Sequence, residues 1–121
     1  MSTYLQRIDA DVRELEREQT APTVGQQFLA GQLSEQTARA YRADVEDLFG
    51  KPCEELTIED LRMVTPARIV AWRNDRMKEQ AASTVARKLS AIRSLFRHAE
   101  ALGIIEGNPA RPELVKSPRV S

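Results

Sequence analysis

The chain has 121 residues, enough for one domain with a real core, and its 41% hydrophobic, 5% aromatic and 30% charged residues require that core to be built from Leu, Ile, Val and Ala, as in small helical proteins. A single Cys53 excludes an internal disulfide, Cys53 with the single His98 is too few soft ligands for zinc, and no apolar run approaches the ~18 residues of a membrane span. Eighteen basic and eighteen acidic residues cancel, so the total charge gives no hint of a polyanionic partner.

In chain order, Leu5, Ile8, Val12 and Leu15 repeat at spacings of three, four and three and predict an amphipathic helix over Tyr4–Glu18. Pro22 and Gly25 then break the pattern, and "QTAPTVGQQ" reads as a linker, with a short helix to follow in "VGQQFLAGQL". Ser34 offers an N-cap for "EQTARAYRADVEDLF", where Ala38, Tyr41, Val45, Leu48 and Phe49 share a face and Gly50 and Pro52 stop the helix. Thr57 and Asp60 make a capping-box variant opening a short helix to about Val64. Thr65 and Pro66 start a helix running to about Gln80, with Ile69, Trp72 and Met77 expected to be buried.

"STVARKLSAIRSLFRHAEALG" predicts the last helix, with Ser83 as its cap and Gly103 at its end. Val85, Leu89, Ile92, Leu95, Phe96 and Ala99 share its apolar arc, and Ser83, Arg87, Ser90, Ser94 and Arg97 the opposite one. After Ile104 and Ile105 the proline-rich "IIEGNPARPELVKSPRVS" reads as extended and exposed, a linker leading elsewhere. No strand-period alternation appears, so the fold expected is all-α, a compact bundle of four to five helices. The division expected is 1–23 for the N-terminal helix and linker, 24–107 for the helical domain and 108–121 for the trailing linker. The start "MSTYLQRIDADVREL" lacks the apolar core of a signal peptide, so a soluble, cytoplasmic protein is expected, with no metal and no cofactor.

The charge is unevenly distributed. Seven basic and thirteen acidic residues lie between Met1 and Val64, eight and two between Thr65 and Ala99, and three of each beyond. This split has two readings, a surface facing a polyanion or two halves that neutralise each other on folding. Catalytic groupings fare poorly. His98 has only Glu100 nearby, two residues along a helix and facing elsewhere. The carboxylate pairs Asp44 with Asp47 and Glu59 with Asp60 read as solvated helix faces or caps, and "GQQFLAG" lacks the Lys-Ser/Thr of a phosphate loop.

The basic and hydroxyl surface remains. Ser83, Thr84, Arg87 and Lys88 bring hydroxyls, helix N-terminal N–H groups and two cations to one region, a grouping suited to a phosphate. Ser34, Gln36, Thr37 and Arg39 make a counterpart at the start of the earlier helix, whose acidic residues Asp44, Glu46 and Asp47 wait until its far end, against the macrodipole rule.

These stretches, Ser34-x-x-Thr37-x-x-x-Tyr41 and Ser83-Thr84-x-x-x-x-Leu89-Ser90-x-x-Arg93 closed by Asn108-Pro109, resemble the N-terminal core-binding domain of tyrosine recombinases and phage integrases from about Val24 onward. The resemblance implies a SAM-like bundle that clamps one side of duplex DNA while a separate catalytic domain clamps the other. It makes Thr37, Arg39, Ser83, Thr84, Arg87 and Lys88 candidate DNA contacts, to which the basic and hydroxyl surface adds Ser34, Gln36 and Arg97, and it makes Tyr41, Leu48, Phe49, Leu89, Ile92 and Phe96 core.

The family's nucleophilic tyrosine and its arginine and histidine set have no counterpart motif in this sequence, so the chain is not expected to be an enzyme by itself. It reads as the DNA-binding part of a longer recombinase, or a naturally short derivative, with double-stranded DNA and other recombinase protomers as partners. The helix over Tyr4–Glu18 is outside the usual family core and either packs back on the bundle or pairs with another protomer. A rival reading is a helical protein-interaction module whose basic arc meets an acidic partner.

Overall fold

The structure, a computed structural model, describes residues 21–119; the amphipathic stripe of Leu5 to Leu15 lies outside the described residues. Among the described residues there are five α-helices, one 3-10 turn and no strand: α1 (Val24–Ala30), α2 (Glu35–Phe49), the 3-10 turn Cys53–Glu55, α3 (Ile58–Arg62), α4 (Pro66–Met77) and α5 (Ala82–Ala101). None is long and apolar enough to cross a membrane.

Four of the five helices begin with a side-chain cap of the kind that satisfies orphan N–H groups in a first turn. Thr23 and Gln26 make a full capping box for α1, Ser34 accepts from the N–H of Thr37, Thr57 and Asp60 make the box for α3, and Thr65 accepts from the N–H of Arg68. The "linker" containing Pro22 and Gly25 is thus partly helical. Gly25 is buried within α1 because its helix runs directly over the 3-10 turn: a Cβ there would lie 1.7 Å from the carbonyl oxygen of Cys53, and the Gly25 N–H donates to Leu56 O. Gly50 ends α2 in the left-handed region (φ 70°), and Gly103 (φ 77°) turns the chain after α5, with Ile104 N–H reaching back to Ala99 O in a Schellman-type closure.

The apolar faces converge on one core. Val45 of α2, Leu56, Leu61 of α3, Ile69 of α4 and Val85, Leu89, Ile92, Leu95 and Phe96 of α5 are essentially inaccessible, and α2 against α5 is the most extensive helix pair. Each fully buried Leu, Ile or Phe side chain stabilises the fold by about 1.5–3 kcal/mol relative to exposure. Cys53 is buried in the same core, where loss of solvent and the nearby Glu54 and Glu46 push its thiol up to about 12, so it stays protonated and unreactive at neutral pH. Met77 departs from expectation. It is 40% exposed, since α4 ends on it, and the residues to Gln80 form a turn instead of more helix.

The tail also departs from the sequence reading of an extended, exposed chain. Asn108 is buried, and Ala110 and Val115 are fully so, packed into the same core as α5. The cause is Arg93. Its Nε donates to Ala110 O at 2.8 Å, its Nη2 to Val115 O at 2.6 Å and its Nη1 to Ser117 Oγ at 2.8 Å, while Asn108 Nδ2 donates back to Arg93 O. Arg73 of α4 adds a bond to Lys116 O, so the tail is held by two helices.

One carboxylate ties α2, α4 and α5 together. Asp47 Oδ2 accepts from Trp72 Nε1 at 3.0 Å and from Arg76 Nε at 2.7 Å, and lies 3.5 Å from Lys88 Nζ. Burial pushes the Asp47 carboxyl up, but the bonds from Arg76 and Trp72 and the charges of Lys88 and Arg76 outweigh it and hold the group below its ordinary value.

Two stability predictions follow from these contacts. Gly25→Ala forces α1 off the 3-10 turn and should cost about 2 kcal/mol or more, read as a lower urea midpoint by circular dichroism; an unchanged midpoint would refute the close approach. Asp47 stabilises the fold above the ordinary carboxylate pKa of about 3.9, and the contribution fades as pH falls through its lower folded value. Asp47→Asn should therefore lose about 1–2 kcal/mol at pH 7 and much less at pH 2.5, as measured by denaturation at the two pH values.

Candidate nucleic-acid interface

The structure places the nine sequence-predicted site residues in three groups. At the start of α2, Ser34 Oγ donates to Thr37 Oγ1 at 2.9 Å and accepts from the Thr37 N–H at 3.1 Å, so both hydroxyls are engaged in the cap. Gln36 and Arg39 beside them are exposed, and Arg39 makes no ion pair among the described residues.

At the start of α5 the geometry corrects the sequence reading. Ser83 is not the cap. The extended residue is Ala81 (φ −64°, ψ 149°), the helix begins at Ala82, and Ser83 and Thr84 fall inside the first turn. With alanine at the cap position, α5 is the one helix among the described residues whose N-terminus no side chain caps. Its first N–H groups thus have no side-chain cap, with the exposed Ser83 and the partly exposed Thr84 in the same first turn.

Arg87 and Lys88 follow, and each meets an acidic residue of α2. Arg87 Nη1 donates to Asp44 Oδ2 at 2.6 Å, and Lys88 Nζ lies beside Asp47. Asp44 is not on a solvated face: its side chain is 4% exposed, which a carboxylate tolerates only with a partner. The two cations also differ from each other. Arg87 keeps 56% of its side chain exposed and bonds through Nη1 alone among the described residues, whereas Lys88 is 15% exposed and turned into the α2 seam. The acidic far end of α2, read as an inversion of the macrodipole preference, is thus a packing surface for α5 and for Arg76 of α4. To that extent the two halves of the chain neutralise each other.

The third group is Arg97 alone, exposed on the same arc of α5 as Ser83 and Arg87 and without an ion pair among the described residues. The structure does not join the α2 and α5 clusters by a direct contact. Arg87 meets α2 at Asp44, ten residues and about 15 Å along the axis from Ser34.

No catalytic constellation accompanies this surface among the described residues. Tyr41 stacks on Phe28 with ring centroids 5.6 Å apart, His98 tilts against the same Phe28 at 5.8 Å, and no three His, Cys, Asp or Glu side chains gather as a metal site. The linear sequence gave no signal for Asp44 as the partner of Arg87, because the two are 43 residues apart.

The ion pair constrains how Arg87 can be tested. Arg87→Ala leaves Asp44 buried and unpaired and should cost about 2–3 kcal/mol, whereas the same change in an Asp44→Ala background should cost under about 1 kcal/mol. Urea denaturation of the four proteins measures the coupling, and additive losses would refute it.

Comparison with known families gives one match. The model of the phage integrase N-terminal SAM-like domain matches residues 26–103, from α1 through the glycine that closes α5. No curated protein and no solved structure matches the chain. The all-helical architecture fits that domain, and over nearly two thirds of its length this chain belongs to the phage integrase N-terminal SAM-like domain family.

Proposed function

We propose that this domain binds duplex DNA and positions a tyrosine recombinase or integrase on its site, holding the substrate while cleavage belongs to a separate catalytic domain. The observation that carries this reading is the family match over residues 26–103. Two features of the surface support it. The uncapped start of α5 presents N–H groups, Ser83, Thr84 and the outward donors of Arg87, which suit a phosphate. The start of α2 presents Gln36 and an Arg39 that packing does not use, beside the Ser34 and Thr37 hydroxyls.

Separation along α2 supports the same reading. The α5 cluster meets α2 at Asp44, about 15 Å along its axis from Ser34, comparable to the major groove's width of about 12 Å. Two clusters so spaced suit phosphates on opposite sides of a groove, and Gln36, exposed within the α2 cluster, is the side chain suited to a base edge. Lys88 does not belong to this contact set; its ammonium serves Asp47. Other protomers on the same DNA are the natural additional partners of such a domain, and a cytoplasmic setting fits DNA as substrate.

Binding through phosphates predicts weak, salt-dependent affinity, with a Kd of about 10⁻⁴ to 10⁻⁶ M for nonspecific duplex. Fluorescence anisotropy with a labelled duplex across a salt series should show this. Arg39→Ala, which removes no hydrogen bond or ion pair among the described residues, should weaken binding on every sequence tested and reduce the salt slope by about 0.9. Amide shifts on adding duplex should fall at Ser34–Arg39 and Ser83–Arg87. Absence of binding at low salt would overturn the reading in favour of a protein-interaction module.

A further inference from the structure

We infer that the tail completes the DNA-facing surface: Arg111, from the segment beyond the family match, joins Arg97 and Ser90 around a cleft that takes one backbone phosphate, and Arg93 is the positioning residue that builds it. The inference rests on the DNA-binding reading and names a contact which that reading does not contain.

The cleft lies between the second half of α5 and the returning tail and encloses about 440 Å³. Three guanidinium groups line it, Arg93, Arg97 and Arg111, against the single carboxylate of Glu100. Such crowding is unfavourable in the free protein. Arg93 and Arg97 are one helical turn apart, a spacing at which like charges repel, and burial followed by the charge of Arg97 pushes the Arg93 guanidinium below its usual range, against the smaller opposing effect of Glu113. An anion seated in the cleft would relieve that repulsion.

The three arginines have different duties. Arg93 is already engaged on all three of its nitrogens, with Ala110 O, Val115 O and Ser117 Oγ, so it contributes charge and shape to the cleft but no outward grip. Arg97 and Arg111 are exposed and without an ion pair among the described residues.

Arg111 is nonetheless fixed at its backbone. Its N–H donates to Asn108 O at 3.2 Å, its carbonyl accepts from Leu114 and Val115, and Asn108 Oδ1 accepts from the Ala110 N–H beside it. A cation held on such a turn loses less freedom on binding than one on a loose linker.

Register along α5 makes the cleft part of the same surface. Ser90 and Arg97 lie on the arc of Ser83 and Arg87, and ten residues from Arg87 to Arg97 span about 15 Å. The helix can therefore meet one phosphate at its uncapped start and another at the cleft.

The test uses the full chain, a duplex of about 20 base pairs and a salt series, with inorganic phosphate as a separate titrant. Arg111→Ala should weaken duplex binding about threefold to tenfold at low salt and reduce the salt slope by about 0.9, with the fold unchanged by circular dichroism. Arg93→Lys keeps the charge but cannot make the planar, three-nitrogen grip on the tail. It should match the Arg111→Ala loss, speed amide exchange at residues 108–117, and leave Arg111→Ala with no further effect.

A full wild-type salt slope in Arg111→Ala, while Arg39→Ala lowers it, would overturn this inference and leave the DNA-binding reading standing. No duplex binding by the wild-type chain would overturn both. Phosphate-induced shifts at Ser90 and Arg111 without any effect of Arg111→Ala on duplex binding would overturn it in favour of a site for the free anion.

Discussion

Asp47 accepts from Trp72 and Arg76 of α4 and faces Lys88 of α5, so a single carboxylate on α2 fixes the relative placement of three helices. A buried or half-buried carboxylate is unfavourable by itself and becomes stabilising only when all its partners arrive together. Three turns of helix thus share one condition, and the apolar arcs of α2 and α5 meet in register where it is satisfied. Asp44, one turn earlier, repeats the device with Arg87. The acidic end of α2 is an inner seam, and its alignment sets which part of α5 is left facing outward.

That seam explains why charge counting along the chain is a poor guide here. The basic excess between Thr65 and Ala99 includes Arg76 and Lys88, which neutralise Asp47, and Arg93, which holds the tail. After packing, the outward cations of the candidate site are Arg39, Arg97, Arg111 and the free side of Arg87. An electrostatic footprint of this size would allow only a small number of phosphate contacts, and so only weak, salt-dependent binding under the proposed reading.

Local signals in the sequence were read well and non-local ones were not. The starts of α2, α3 and α4 were legible because a hydroxyl cap and a following periodic run are set by the chain within four residues. The apolar arc of α5 was legible for the same reason. Ser83 misled because a hydroxyl before a run resembles a cap whether the extended residue is that one or, as here, Ala81 two positions earlier. Asp44 looked solvated because its partner lies 43 residues on, and the tail looked loose because prolines exclude regular helix without excluding burial of Ala110 and Val115. Gly25 read as a break in the pattern within a linker, where the constraint was a close approach to Cys53 that only the folded chain reveals.

The Asp44–Arg87 pair shows how one side chain can lock an internal contact and still keep an exposed side. A guanidinium is planar with five N–H donors, and Asp44 engages one nitrogen while more than half of the side chain stays exposed. Fixing a long side chain at an interface otherwise costs about 0.5–1.5 kcal/mol of lost rotamer freedom. Folding has already set part of that freedom here, so the exposed side of the guanidinium would meet an anion with less further loss. A lysine could not divide its duties this way, since its ammonium is a compact point charge without a second planar edge. Lys88, one residue on, illustrates the difference: committed to Asp47, it is drawn into the seam and almost lost from the surface. The division between Arg87 and Lys88 is therefore a consequence of side-chain shape, and it explains how one turn of helix can both lock the bundle and present a cation outward.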